Sequence, residues 1–232
     1  KNIDGTTYLK LNVDLRDYLV EDLYYLGKNI YILLNRGTNF VLLRIHFMMY
    51  GRVLVNDTHP KDKKSNFSIT LDDNVRINFY FSQIKMVPLE EWQLKRLCYL
   101  DMSNEKFNQK KLLLHVWRKM ICGDILVDLL LNQTLFPGIG NIVQQEILYR
   151  CRLCPTMKSS DLSKDQIKEI IEVGHKLVID MYQNSTLDNT YPRSSLLIYH
   201  KAYCPLGHRT VTKYLGDRNR RTTWCNVCQK CL

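Results

Sequence analysis

The chain has 232 residues, with 33 Lys+Arg against 23 Asp+Glu, a formal net charge of +10 at pH 7 and 45% hydrophobic residues. That apolar fraction fills real cores and argues against intrinsic disorder, and no run approaches the roughly 20 consecutive apolar residues of a membrane helix, so a membrane-spanning role is excluded. The positive balance raises the expectation of a polyanionic partner, because neutralising phosphates releases counterions, although a basic protein without such a partner has the same composition.

The chain opens on Lys1, and residues 1–30 show neither a basic start with an apolar block nor a small-residue cleavage site. No secretory signal is expected, and residues upstream of Lys1 are expected to be missing. Alternating apolar residues predict strands over 7–13, 31–34, 40–47, 53–55, 67–71 and 75–81, with Gly51-Arg52, Asn56-Asp57 and Asp72-Asp73-Asn74 as turn chemistry between them. Short strands at this spacing predict an antiparallel sandwich or barrel. The stretch Pro60-Lys61-Asp62-Lys63-Lys64-Ser65 reads as an exposed loop, a solvated charge run in preference to a phosphate contact.

Near Pro88-Leu89-Glu90 the pattern turns helical. Leu112, Leu113, Val116 and Met120 share one face, then Ile125, Leu126, Leu129 and Leu130, then Ile142, Ile147 and Leu148, which predicts three helices in succession. A fourth begins at a capping box, Ser163 with Gln166, and should end near Asn184-Ser185. A polar connector leads to a cysteine-rich tail.

Of the eight cysteines, Cys204, Cys225, Cys228 and Cys231 crowd the C-terminal end, a clustering that favours a metal site over a disulfide framework. Cys204 and His208 are separated by three residues and Cys225 and Cys228 by two, with 16 residues of hairpin length between the pairs. Two such chelating pairs make a tetrahedral structural zinc site, and in so small a tail the metal would supply the main folding energy. Cys231 competes as a ligand, but fraying one residue from the end works against it. Cys151 and Cys154 read as ordinary helix-end and turn residues.

Residues Pro137-Gly138-Ile139-Gly140-Asn141 stand between two apolar helices. Glycines there permit unusual backbone angles and close approach, and the helix that follows presents unpaired N–H groups and a positive dipole end, a place for a phosphate; a plain interhelical turn has the same residues. Asn132-Gln133, Pro137-Gly138-Ile139-Gly140-Asn141-Ile142 and Glu146-Ile147-Leu148 together resemble the helix-two-turn-helix of the formamidopyrimidine-DNA glycosylase and endonuclease VIII (Fpg/Nei) family. The segment from Gly216 through Arg220 and Cys225 to Cys228 is similar to that family's zinc-finger hairpin, and Leu26-Gly27-Lys28 and Arg44-Ile45-His46-Phe47-Met48-Met49-Tyr50-Gly51 resemble its lysine strand and methionine-bearing loop, with a Nei-like, eukaryotic or viral character.

The resemblance implies an α+β architecture: a β-sandwich domain over 1–87, a helix-two-turn-helix domain over 88–195 and a zinc finger over 196–232. It implies a monomeric DNA glycosylase with AP-lyase activity, working at DNA inside a cell, in the nucleus or at a viral replication site, and holding one structural zinc ion at Cys204, His208, Cys225 and Cys228. Its substrate would be damaged DNA, double- or single-stranded. Lys28, Asn141 and Arg220 would match the family's phosphate contacts, Met49 the residue that fills the space left by the flipped nucleotide, and Gly138 and Gly140 the phosphate turn. His46 either contacts the backbone or packs within its strand. The family's nucleophile is the α-amine of the mature N-terminal residue, with a pKa of about 8 that leaves a neutral, nucleophilic fraction near pH 7. The amine and its glutamate are expected upstream of Lys1. The alternative is a non-catalytic DNA-binding protein that keeps the clamp and finger; a zinc finger directed at RNA or protein ranks below both, since the aromatic pattern of common RNA modules is absent.

Overall fold

The computed structural model describes residues 15–58, 63–71, 74–120, 123–185 and 191–230, with residues 48–50 described by backbone alone. They form two compact units that divide after Leu97. In the first, β1 (Leu19–Leu26), β2 (Asn29–Arg36), β3 (Asn39–Val55), β4 (Phe67–Thr70) and β5 (Arg76–Val87) make one antiparallel sheet in the order β1-β2-β3-β5-β4. Leu26 pairs with Asn29 and Arg36 with Asn39, so two-residue turns, each begun by a glycine, join the first three strands.

β2 and β4 stand three ladders apart, about 14 Å in a flat sheet. Yet Ile32 and Leu34 of β2 share one core cluster with Val41, Leu43 and Ile45 of β3 and with Phe67 and Ile69 of β4. The sheet therefore curls around its own apolar face. Part of its other face is covered by the 3-10 run that starts at Leu89: Tyr24 stacks on Tyr31 at 4.5 Å, meets the edge of Trp92 at 4.9 Å and donates its hydroxyl to the Glu91 carbonyl, while Arg44 pairs with Glu91 at 3.1 Å.

The antiparallel β expectation holds, with two differences in detail. The strand expected over 7–13 lies outside the described residues. β1 was not anticipated, because a register shift between Val20 and Asp22 breaks its alternation. The stretches 40–47 and 53–55 are one strand: pairing with β5 steps from Phe47–Ser82 to Arg52–Tyr80, so four residues, Met48 to Gly51, stand opposite the single Phe81. Gly51-Arg52 closes a bulge instead of making a turn, and such bulges re-aim side chains.

The second unit holds α1 (Gln109–Lys119), α2 (Leu126–Leu131), α3 (Asn141–Arg150), α4 (Lys164–Gln183) and a hairpin of β6 (Val211–Leu215) and β7 (Arg220–Trp224). Asn108 caps α1 by accepting from Lys111 N at 3.0 Å. The box at α4 forms as expected, Ser163 Oγ accepting from Gln166 N at 3.1 Å and Gln166 Oε1 from Ser163 N at 2.9 Å. α2 is too short to persist on propensity and has no side-chain cap; five of its six residues are buried, each burial contributing about 1.5–3 kcal/mol. α3 buries five consecutive residues, Gln144 to Leu148, so it is enclosed on several sides; Gln145 and Glu146 find hydrogen-bond partners there, whereas the buried Gln144 amide has none among the described residues.

Candidate nucleic-acid interface and metal centre

The turn between α2 and α3 is held by its own side chains. Gln133 Nε2 donates to the Ile139 carbonyl at 2.9 Å and to that of Leu131 at 3.2 Å, and its Oε1 accepts from Gly138 N at 3.2 Å. Asn132 Oδ1 accepts from both the N–H and the hydroxyl of Thr134, at 3.0 and 2.7 Å. Gly138 has φ +88°, which favours glycine. Gly140, the N-cap of α3, has φ −113° and ψ 179°, ordinary extended backbone, so the freedom expected of both glycines is used at one. What Gly140 contributes is the absence of a side chain: no side-chain acceptor caps α3, and its first turn carries no acidic residue. The N–H groups and positive dipole end therefore stay open to an anion.

This helix start is fastened to the hairpin. Asn141 Nδ2 donates to the Arg221 carbonyl at 3.1 Å, Gln145 Nε2 donates to the same oxygen at 3.0 Å, and Thr223 N donates to Gln145 Oε1 at 2.8 Å. The structure thus brings Asn141 together with the strand that carries Arg220, whose side chain is exposed. Burial first, then the fields of Arg221 and Arg193, push the His200 imidazole below its ordinary pKa.

Two carboxylates set the hairpin's seat, and neither stood out in the sequence as a support. Asp128 on α2 accepts from Asp217 N with both oxygens, at 3.1 and 3.2 Å; burial first, then the fields of Asp217 and Asp124, raise its pKa in spite of that bond. Gly216 lies so close that a Cβ would overlap the Asp128 carboxylate, and its φ is +73°. Gly216→Ala should therefore cost about 1–3 kcal/mol and release the hairpin tip, read as a lower melting temperature and faster hydrogen exchange at Asp217 N. Glu146, with 0% of its surface exposed, accepts from the N–H groups of Leu197, Ile198 and Tyr199 at 2.9–3.0 Å, with Arg150 at 3.5 Å. It anchors the segment leading into the tail.

In the tail, one ligand atom each from Cys204, His208, Cys225 and Cys228 lies within 4.8 Å of all the others. Cys204 Sγ is 3.8 Å from Cys228 Sγ, and His208 Nδ1 is 3.6 Å from Cys204 Sγ and 3.4 Å from Cys228 Sγ. Burial raises the Cys204 thiol, but the His208 and Leu206 N–H groups and the neighbouring Cys225 and Cys228 sulfurs more than offset it, lowering its pKa to about 6. Burial, then Cys225 and Cys204, push Cys228 up to about 11. These Cys and His residues can hold a metal ion. Cys231 lies outside the described residues. Cys154, read from sequence as an ordinary turn residue, is disulfide-bonded.

In the first unit, Lys28 is exposed in the turn between β1 and β2, where a strand position was expected. Its neighbour Asn29 pairs across strands with His46, whose half-buried ring lies with Nδ1 3.1 Å from Asn29 Oδ1. Met49 falls on the bulge of β3, and its side chain lies outside the described part.

Residues 101–183 match the formamidopyrimidine-DNA glycosylase H2TH domain. The whole chain is 33% identical to an Endonuclease 8-like protein of Acanthamoeba polyphaga mimivirus, over 98% of this chain and 91% of that protein. It is 28% identical to Bos taurus Endonuclease 8-like 3 over 81% of this chain, but over 31% of that longer protein. Among solved structures, a viral DNA glycosylase superposes with a TM-score of 0.87 at 32% identity, covering 98% of this chain and 91% of that one. A Lactococcus lactis Fpg (MutM) bound to FAPY-dG DNA shares the fold with a TM-score of 0.74 at 19% identity, covering 99% and 92%. With a full-length relative above 30% identity and the matching helix-two-turn-helix segment in place, the chain belongs to the Fpg/Nei family of DNA glycosylases.

Proposed function

We propose that the protein is a base-excision-repair glycosylase that removes oxidised bases from DNA and then cleaves the strand, through a Schiff base at the α-amine of its natural N-terminal residue. The observation that carries this reading beyond family membership is the uncapped start of α3, fixed to the Arg220 strand by Asn141 and Gln145: two separate elements presented together to a polyanion. Lys28, Asn141 and Arg220 would each take a backbone phosphate around the flipped nucleotide, with Gly138 and Gly140 keeping the turn open. Met49, on a bulge of the kind that re-aims side chains, would enter the vacated stack, and His46 would support the strand beside it. In working terms residues 1–87 would carry the catalytic-type β domain, 88–195 the helix-two-turn-helix and 196–232 the finger.

The ion would be zinc. A tetrahedral zinc with bonds of about 2.3 Å to sulfur and about 2.0–2.1 Å to nitrogen needs S–S edges near 3.8 Å and S–N edges near 3.5–3.6 Å; the edges here are 3.8, 3.6 and 3.4 Å. Its task would be to hold the hairpin, with no part in the chemistry. Arg220→Ala should weaken binding to lesion DNA and make the dependence of log affinity on log salt shallower by about 1. Asn141→Ala should weaken binding with little change in that slope, and both should keep full zinc content. Unchanged affinity in both variants would remove the clamp from the account.

A further inference from the structure

The first unit carries a second cationic site away from Lys28 and His46. Where β3 and β5 end their ladder, Asp57, Lys63, Lys64, Ser65, Arg76 and Asn78 contribute to the lining of an open pocket of about 510 Å³. Its floor is fixed by hydrogen bonds through the buried Asn78: Nδ2 donates to the Asp57 carbonyl at 2.8 Å, while Oδ1 accepts from Ser68 Oγ at 2.6 Å and from Arg76 Nε at 3.2 Å. Ser65 Oγ lies 2.9 Å from Ser68 Oγ, which continues the network to the lysine-bearing segment. One face of the Arg76 guanidinium is thereby oriented, and a planar fork beside two ammonium groups suits phosphate geometry. In the described lining, Lys63, Lys64 and Arg76 stand with the single carboxylate of Asp57.

We propose that this pocket binds a backbone phosphate of the DNA strand, beyond the contacts that surround the lesion. The lining is mostly exposed, and its aromatic residue, Tyr80, is buried. A phosphate on a strand that runs onward therefore fits better than a nucleotide, which would need a face to stack on. The site lies along β5 from Gln83, the partner of His46, to Arg76. That is at most about 23 Å at the usual rise per residue, or about seven base-pair steps. Lys63, Lys64 and Ser65, read from sequence within a solvated charge run, become part of the footprint.

The inference rests on the DNA-binding reading above, and its test separates the two. Affinity and salt dependence are measured for Lys63→Ala/Lys64→Ala, Asp57→Asn and Arg220→Ala on lesion duplexes with arms of about four and about twelve base pairs. The double lysine variant should lose affinity and about 1 in slope on the long duplex alone, and Asp57→Asn should tighten binding on the long duplex alone. Equal effects on both lengths, or none on either, would overturn the proposal, and a loss for Arg220→Ala on both lengths would still leave the DNA-binding reading standing. Saturable binding of a nucleoside monophosphate or inorganic phosphate, lost in the lysine variant with no dependence on DNA length, would make the pocket a small-molecule site and equally overturn it.

Discussion

Cys225→Ser should strip the metal ion from the tail and unfold the segment from Cys204 onward, abolishing tight DNA binding while α1 to α4 stay helical. Cys225 is fully buried, and the described core around it is small: Ile198 and Cys204, with Tyr149 and Cys228 packed at its edge. A structural zinc ion in a small finger supplies an apparent 10–16 kcal/mol, roughly, at neutral pH, and a neutral serine hydroxyl is a poor replacement for a thiolate. Ties such as Thr223 N to Gln145 and Asp217 N to Asp128 contribute only about 0.5–1.5 kcal/mol each, against an ordering cost of about 1–2 kcal/mol for every residue. The metal therefore decides the outcome. Zinc stoichiometry should fall from one to zero, and the emission of Trp224, buried beside Cys225, should shift to that of a solvated indole. A variant that kept its ion would show that another ligand, Cys231 foremost, completes the site.

Glu146→Ala should destabilise the second unit by about 3–5 kcal/mol. The substitution leaves the N–H groups of Leu197, Ile198 and Tyr199 buried or half-buried without their acceptor, and it takes the carboxylate from Arg150. Glu146→Gln keeps one acceptor oxygen but turns an amide donor toward the N–H cluster, so it should fall between wild type and alanine. Urea unfolding checks the order. At low urea, where the alanine variant is still folded, DNA affinity should already be reduced, because the segment that seats the finger has lost its anchor.

Much of this fold was legible where the physics is local. The α4 box works through two short hydrogen bonds, so Ser163 and Gln166 place the helix start and Asn184 its end as expected. The Cys204, His208, Cys225 and Cys228 cluster was legible for the same reason, since each pair is close in sequence and the side chains converge as the spacing implies. What escaped depends on distant partners. Asp128 resembles an ordinary acidic residue in a first helical turn until Gly216 and Asp217 arrive 88 and 89 positions later. Gln145 and Glu146 break the apolar period of α3 because they answer backbone groups of the hairpin and its lead-in. β1 was hidden by the phase slip of its register shift and β3 by its bulge, both of which defeat a period-two reading. For Gln145 and Glu146 the signal available was a polar residue standing where an apolar one would suit the pattern.

Borohydride trapping tests covalent chemistry on damaged DNA most directly. The natural protein is incubated with DNA carrying one oxidised pyrimidine, the product is reduced, and the crosslinked residue is mapped by mass spectrometry. A stable protein–DNA adduct through the N-terminal α-amine is the expected result. Absence of any adduct, with salt-sensitive DNA binding retained, would contradict the account and leave a DNA-binding protein without the chemistry.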